Sequence, residues 1–291
     1  MKTAIMTDSN SGITPEEGKK LGIYSLSMPV IIDGTVFFEG KTITQEKFYD
    51  DMISGKNITS SQPSPGDVLD MWEQIFEDGY EQIVYIPMSS GLSASCHAST
   101  ALAQEYDGKV QVVDDHRISV TMRQSVLEAK WLAQQGVSAI DIKKKLEEQA
   151  YNSSIYIAVD TLEYLKKGGR VTAAGAAIGA VLNIKPVLTI QGEKLDAFTK
   201  VRGMKKAEEK MLDAIEEDLN NRFKDVPPSQ IKIGAAGTFL NQEDADTWFE
   251  MVKQRFPQIE GVYYDPLSFS IGCHVGPNAI GIGISVIQRE S

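Results

Sequence analysis

The chain has 291 residues, 42% of them apolar and 24% charged, and a formal charge of −11. That profile belongs to a folded globular chain of one large or two modest domains, with enough length to bury a core without covalent staples. An acidic chain with no long basic run lacks the Lys/Arg surface that neutralises a polyanion, which excludes nucleic acid as the main partner.

Residues 3–7 suit a first strand, closed by the polar turn Asp8-Ser9-Asn10-Ser11-Gly12. In Thr14-Pro15-Glu16-Glu17 a capping hydroxyl precedes a proline at the first helical position. Residues 26–32 and 36–39 flank Asp33-Gly34, a two-residue hairpin signal. Ser64-Pro65-Gly66-Asp67 opens a helix that runs to residue 77. Strands over 83–87 and 109–113 bracket a helix over 93–105, and helical patterns follow at 118–135 and 139–150. A strand over 155–159 closes this half.

The second half opens with a short helix over 160–167, stopped by Gly168-Gly169, and a helix of almost entirely small residues over 172–182. A hairpin around Gly192 joins 187–190 to 195–201, a charged helix covers 205–223, and 231–235 is a strand. A helix over 242–256 precedes strands at 262–264 and 280–287. Alternating strands and helices predict an α/β fold. The change of texture near residues 152–160 divides it into an N-terminal domain, 1–155, and a C-terminal domain, 156–291. With no flexible linker between them, the two are expected to pack closely.

Three polar loops stand between a strand and a helix: Thr7 to Ser11, Thr59 to Ser64, and Met88 to Ser95. In an open α/β sheet, ligands bind beyond the carboxyl ends of the strands. Free N–H groups at a helix start, together with hydroxyls, hold an oxyanion there without a metal. The competing reading is that these serines only cap helices. Gly91-Leu92-Ser93-Ala94-Ser95 also comes close to the hydrolase elbow G-x-S-x-G, lacking its second glycine. A serine hydrolase or acyltransferase would need a histidine, and the chain has His97, His116 and His274. His97 lies one turn from Ser93 on the same helix and reads as packing, while His116 reads as a surface turn residue. His274, in Gly272-Cys273-His274-Val275-Gly276-Pro277, sits in a tight loop that would present its imidazole to Ser93. Arg170, Lys185 and Arg202 interrupt apolar or glycine-rich stretches and suggest a local positive rim on an acidic protein.

Cys96 and Cys273 give neither a disulfide framework nor zinc spacing, which fits a reducing, cytoplasmic setting. Asp8 arrives before an apolar segment forms, so no signal peptide is expected. The uncharged stretch 171–184 falls short of the roughly 20 residues a membrane span needs. The stretch 266–288, with His274, Asn278, two prolines and four glycines, reads as loop and strand. No metal site and no nucleotide motif of the G-x-x-x-x-G-K-[ST] type is present.

Taken together, Thr7-Asp8-Ser9, Ser60-Ser61-Gln62-Pro63-Ser64-Pro65-Gly66, Ser89-Ser90-Gly91-Leu92-Ser93, Leu165-Lys166-Lys167-Gly168-Gly169-Arg170, Ile184-Lys185-Pro186, Val201-Arg202-Gly203 and His274-Val275-Gly276-Pro277 resemble the DegV family of bacterial fatty-acid-binding proteins. The motifs stand in family order over nearly the whole chain. The resemblance implies a two-domain fold with a long-chain fatty acid in a tunnel between the domains and no catalytic residue or cofactor of its own. It places the carboxylate at Ser60 and Ser93, with Ser61 and Ala94 beside them. It further implies that the acid is presented to a separate ATP-dependent fatty acid kinase, with Arg170, Arg202 and His274 linked to that partnership. Ser60 replaces the family's usual threonine and keeps the hydroxyl. Ala94 and Ser95 replace a glycine and a threonine, and Asn278 replaces a glycine, where asparagine tolerates left-handed backbone.

Overall fold

The computed structural model describes residues 2–177 and 184–288. In chain order it contains β1 (Thr3–Asp8), α1 (Pro15–Leu21), β2 (Tyr24–Leu26), β3 (Pro29–Ile32), β4 (Thr35–Phe38) and α2 (Gln45–Ile53). Next come β5 (Ile58–Ser60), α3 (Pro65–Glu77), β6 (Gln82–Ile86), α4 (Ser95–Ala103), β7 (Val110–Val112), α5 (Ser119–Gln134) and α6 (Ala139–Glu148). The later part holds β8 (Ser153–Ala158), α7 (Glu163–Gly168), α8 (Ala173–Ala176), β9 (Ile184–Ile190), β10 (Asp196–Arg202) and α9 (Met204–Asn220). It ends with β11 (Ile231–Gly237), α10 (Gln242–Arg255), β12 (Val262–Pro266), α11 (Phe269–Val275) and β13 (Ile280–Val286). The rest of the small-residue helix expected over 172–182 lies outside the described residues, beyond α8 and Ala177.

These strands form three sheets. The first, β2-β1-β6-β7, is parallel throughout. A parallel sheet needs cover on both faces, and the two-residue side-chain period supplies it. Ala4, Met6, Ile83 and Tyr85 pack with Val68, Trp72 and Cys96 of α3 and α4. Ile5, Val84 and Ile86 face Val126, Ala129, Leu132, Ile142 and Leu146 of α5 and α6.

The second sheet, β10-β9-β8-β13-β11-β12, is antiparallel except for the β11–β12 pair. Tyr156 and Ala158 point to α9 and α10. Ile155, Ile157 and Val159 point the other way, toward Met88, Leu92, Ile118 and Val120 of the first half. All of β8 pairs within this sheet, so the division expected at 155/156 falls inside a strand and the second sheet begins at Ser153.

The third sheet, β4-β3-β5, is a small antiparallel one that the sequence does not separate from the first. Residues 26–32 read as one strand, but the chain leaves the parallel sheet at Ser27-Met28 and re-enters hydrogen bonding at Pro29. Met28 donates its backbone N–H to Ser9 Oγ instead, at 3.0 Å. The Asp33-Gly34 turn forms as expected, both residues at positive φ. Against this sheet packs α11, where a loop was expected. Ser268 caps it, Gly276 ends it at φ 76, and the N–H of Phe269 donates to Glu39 at 3.0 Å. Phe269 stacks on Phe48 with ring centroids 4.6 Å apart, so a late segment of the chain completes an early core. Asn278 adopts φ 58 in the following loop.

The start of α5 lies directly on the six-stranded sheet. A Cβ at Gly283 would come 2.7 Å from Cγ2 of Val120, a β-branched side chain with little freedom to turn. Gly283→Ala is therefore expected to lower the unfolding free energy by about 1–3 kcal/mol, the usual cost of overpacking, as read by urea denaturation. An unchanged midpoint would mean that this contact is slack.

Candidate functional site

Asp8, at the carboxyl end of β1, organises two of the three loops. One carboxylate oxygen accepts from the N–H of Asn10 at 2.9 Å and the other from the N–H of Met88 at 3.0 Å. Burial pushes its pKa up to about 6, against the pull of those two hydrogen bonds. Asn10 in turn accepts from the Ser268 hydroxyl at 2.8 Å, which ties the N-terminus of α11 to the same cluster. In the third loop the N–H groups of Leu92 and Ser93 both donate to Ser89 O, while the Ser89 hydroxyl donates to the carbonyl of Gly192. Ser93 Oγ accepts from the N–H of Ser95 at 3.1 Å, a local turn just before α4. Its O–H proton stays free to donate elsewhere.

Between these loops and the open face of the six-stranded sheet lies a cavity. The space between its walls, including the part open to solvent, is about 800 Å³. The walls are mostly apolar: Met28, Met88 and Leu92 from the loops, Ile155, Ile157 and Ile190 from the sheet, and Ile271 and Val275 from α11. The polar lining comprises Ser60, Ser61, Gln62, Ser93, Ser119, Arg170, Ser270 and His274. Of these, Ser60, Arg170 and His274 also line an outer groove with Lys56 and Lys167. They therefore stand where the cavity meets that groove.

Ser60 and His274 are bonded, Oγ to Nε2, at 2.8 Å. The pair joins β5 to the last turn of α11. Burial, followed by the neighbouring Arg170 guanidinium, lowers the His274 pKa from 6.5 to about 4, so the imidazole is neutral at physiological pH. Its Nδ1 is buried with no hydrogen-bond partner. That edge lies against Gly168, where an added Cβ would come 2.9 Å from Cε1. Arg170 donates from Nε to Leu92 O at 3.2 Å and from Nη1 to Gly168 O, bridging the end of α7 to the third loop.

Ser60, Ser61, Ser93, Arg170 and His274 thus share one cavity, although Ser61 itself is largely exposed. Ala94 is exposed at the start of α4, next to Ser93 but outside the lining. Arg202 is exposed at the end of β10 and does not line the cavity. Lys185 is committed to an ion pair with Asp160. His97 is exposed on α4, and His116, at φ 55, stacks on Tyr151 at 5.4 Å. The hydrolase arrangement is not assembled: the imidazole meets Ser60 rather than Ser93, and its other nitrogen lacks the orienting partner that a triad base has. Sequence reasoning gave no part to Gln62, Ser119 or Ser270, nor a scaffold role to Asp8 and Asn10. A run of five polar residues directly after an apolar strand was the available signal for the last two.

Among the described residues no group of three His, Cys, Asp or Glu side chains is placed to hold a metal ion. No described helix is long and apolar enough to cross a membrane.

The model of the DegV family matches residues 2–286. The chain belongs to the DegV family. It is 29% identical over 293 residues to a DegV domain-containing protein of Deinococcus radiodurans, covering 99% of this chain and 100% of that one. A DegV domain-containing protein of Clostridium acetobutylicum is 32% identical, with 97% of each chain covered. Among solved structures, a fatty-acid-binding DegV protein of Thermus thermophilus superimposes with a TM-score of 0.88 at 27% identity over 99% of this chain and 100% of that one. DegV of Bacillus subtilis, a fatty-acid-binding protein, does so with a TM-score of 0.84 at 26% identity over 98% and 99%. The expected mixed α/β DegV fold with a parallel sheet is the fold observed.

A depressed histidine pKa makes the fold lose stability as the pH falls from 6.5 toward 4, because the unfolded chain takes up a proton that the folded one refuses. NMR titration should place the His274 midpoint near pH 4, and Arg170→Ala should raise it. A midpoint unmoved by that substitution would leave burial as its whole cause.

Proposed function

We propose that the cavity holds a long-chain fatty acid, with its carboxylate at Ser60 and Ser93 and its chain along the apolar wall. The observation that carries this reading is a mostly apolar cavity bordered, where it meets an outer groove, by hydroxyls, a neutral imidazole and one guanidinium. Burying roughly 15 methylene groups at about 0.8 kcal/mol each gives on the order of 12 kcal/mol before association and ordering costs. A carboxylate buried without partners would cancel much of that gain. When His274 donates Nε2–H to Ser60, the Ser60 O–H is released toward the carboxylate, and the Ser93 O–H is free because Ser95 already satisfies its oxygen. Ser61 flanks the head group, Ala94 adjoins it only through its neighbour Ser93, and Arg170 supplies the compensating charge.

In this reading the chain before β8 contributes the carboxylate-binding loops, and the chain from β8 onward covers the acyl chain and bears Arg170 and Arg202. The protein is a carrier rather than an enzyme, and it works in the cytoplasm. The similarity to fatty-acid-binding relatives supports the ligand class. The outer groove, with Lys56 and Lys167 beside Ser60, Arg170 and His274, suits a partner that must reach the carboxylate with a phosphoryl donor. An ATP-dependent fatty acid kinase forming the acyl phosphate is such a partner, with Arg202 as part of its docking surface.

Native mass spectrometry of gently purified protein should show a one-to-one lipid adduct. Delipidated Ser93→Ala should rebind fatty acid about tenfold more weakly, the loss expected for one hydrogen bond to a charged group. Unchanged affinity in that variant would refute the head-group site. With a cognate kinase and ATP, acyl phosphate should form, and Arg202→Ala should lower turnover when the carrier is limiting. Wild-type turnover in that variant would remove Arg202 from the docking surface.

A further inference from the structure

Ile155 of β8 and Ile190 of β9 each line two spaces. On one side is the cavity. On the other is a small recess bounded by His116, Tyr151, Ser153, Gln191 and Gly192, with an unobstructed space of about 10 Å³ in its present state. The two isoleucines are register partners on adjacent antiparallel strands, so their side chains stand next to each other on one face of the sheet. Both are β-branched and held to few rotamers, which makes the partition stiff. They are only 8% and 9% exposed.

The recess differs chemically from the cavity. The Nδ1 of His116 is buried without a hydrogen bond, 3.8 Å from a carboxylate oxygen of Asp114. Ser153 donates to Ala150 O at 3.3 Å and the Gln191 amide to Ser154 Oγ at 3.2 Å. The His116–Tyr151 stack borders the recess, and Gly192 fits against that stack so tightly that a Cβ there would lie 2.8 Å from His116 and 3.0 Å from Tyr151.

We propose that the Ile155–Ile190 pair sets the length and shape of the acyl chain that the cavity accepts, by keeping methylene groups out of the recess. The proposal rests on the fatty-acid reading above. Truncating either side chain joins the two spaces and admits a longer or more strongly bent chain.

The test loads delipidated wild type, Ile155→Ala, Ile190→Ala and the milder Ile190→Val with an equimolar series of saturated acids of increasing length. Bound lipid is then extracted and its chain lengths are measured by mass spectrometry. Each alanine variant should shift the bound distribution toward longer acids by about two carbons, since truncation leaves room that its surroundings only partly refill. Ile190→Val should shift it less, and it carries the test if an alanine variant fails to fold. Leu188→Ala, in the same core but outside the cavity lining, should keep the wild-type distribution. Fully loaded Ile155 and Ile190 variants with the wild-type distribution would overturn the proposal. A wild type that takes up no acid at all would instead overturn the carrier reading on which it rests.

Discussion

A polar cluster at the edge of an apolar cavity must not strand a charge, and the Ser60–His274 bond joins two groups that are both neutral. A protonated imidazole there would sit beside Arg170 in a poorly hydrated place. Burial and that guanidinium together keep it neutral. A neutral imidazole can both accept and donate, so it can orient a hydroxyl without competing for an anion. Arg170 remains the local positive charge, and its own hydrogen bonds to Leu92 and Gly168 hold it in place.

The fold delivers these groups from distant parts of the chain. The carboxyl ends of β1 and β6 present two loops, which Asp8 fastens to each other through the backbone of Asn10 and Met88. The six-stranded sheet uses one face for α9 and α10 and leaves the other, with Ile155 and Ile157, to build the cavity wall. His274 reaches Ser60 because Phe269 is anchored against Phe48 in the core of the small sheet and Glu39 accepts the first N–H of α11. One outer groove gathers Lys167 and Arg170 with Lys56, which is paired to Asp51, and Glu163 lines it as well.

Much of this was legible in the sequence. Local signals with a single meaning fixed many elements: Thr14-Pro15 starts α1, Ser64-Pro65 starts α3, Asp33-Gly34 turns β3 into β4, and Gly168-Gly169 ends α7. The hydroxyl loops pointed to the region where the cavity lies, because each follows an apolar strand and precedes a helix. Features that depend on distant partners were not legible. Glycine and proline around His274 suggested a loop, but tertiary contacts from Glu39, Phe48 and Asn10 stabilise a helix there. The split of residues 26–32 between two sheets, and the pairing of His274 with Ser60 rather than Ser93, likewise depend on contacts that no local spacing encodes. Arg202 read like Arg170 in the sequence, yet the register of β10 carries it to an exposed end, away from the cavity.

The most direct measurement is a crystal structure of the protein purified gently and then loaded with a long-chain fatty acid. The account requires continuous density along Ile157 and Leu92, ending in a carboxylate within hydrogen-bonding distance of both the Ser60 and Ser93 hydroxyls. A lipid bound outside this cavity, or a cavity closed by the protein's own side chains with those two serines turned apart, would contradict it.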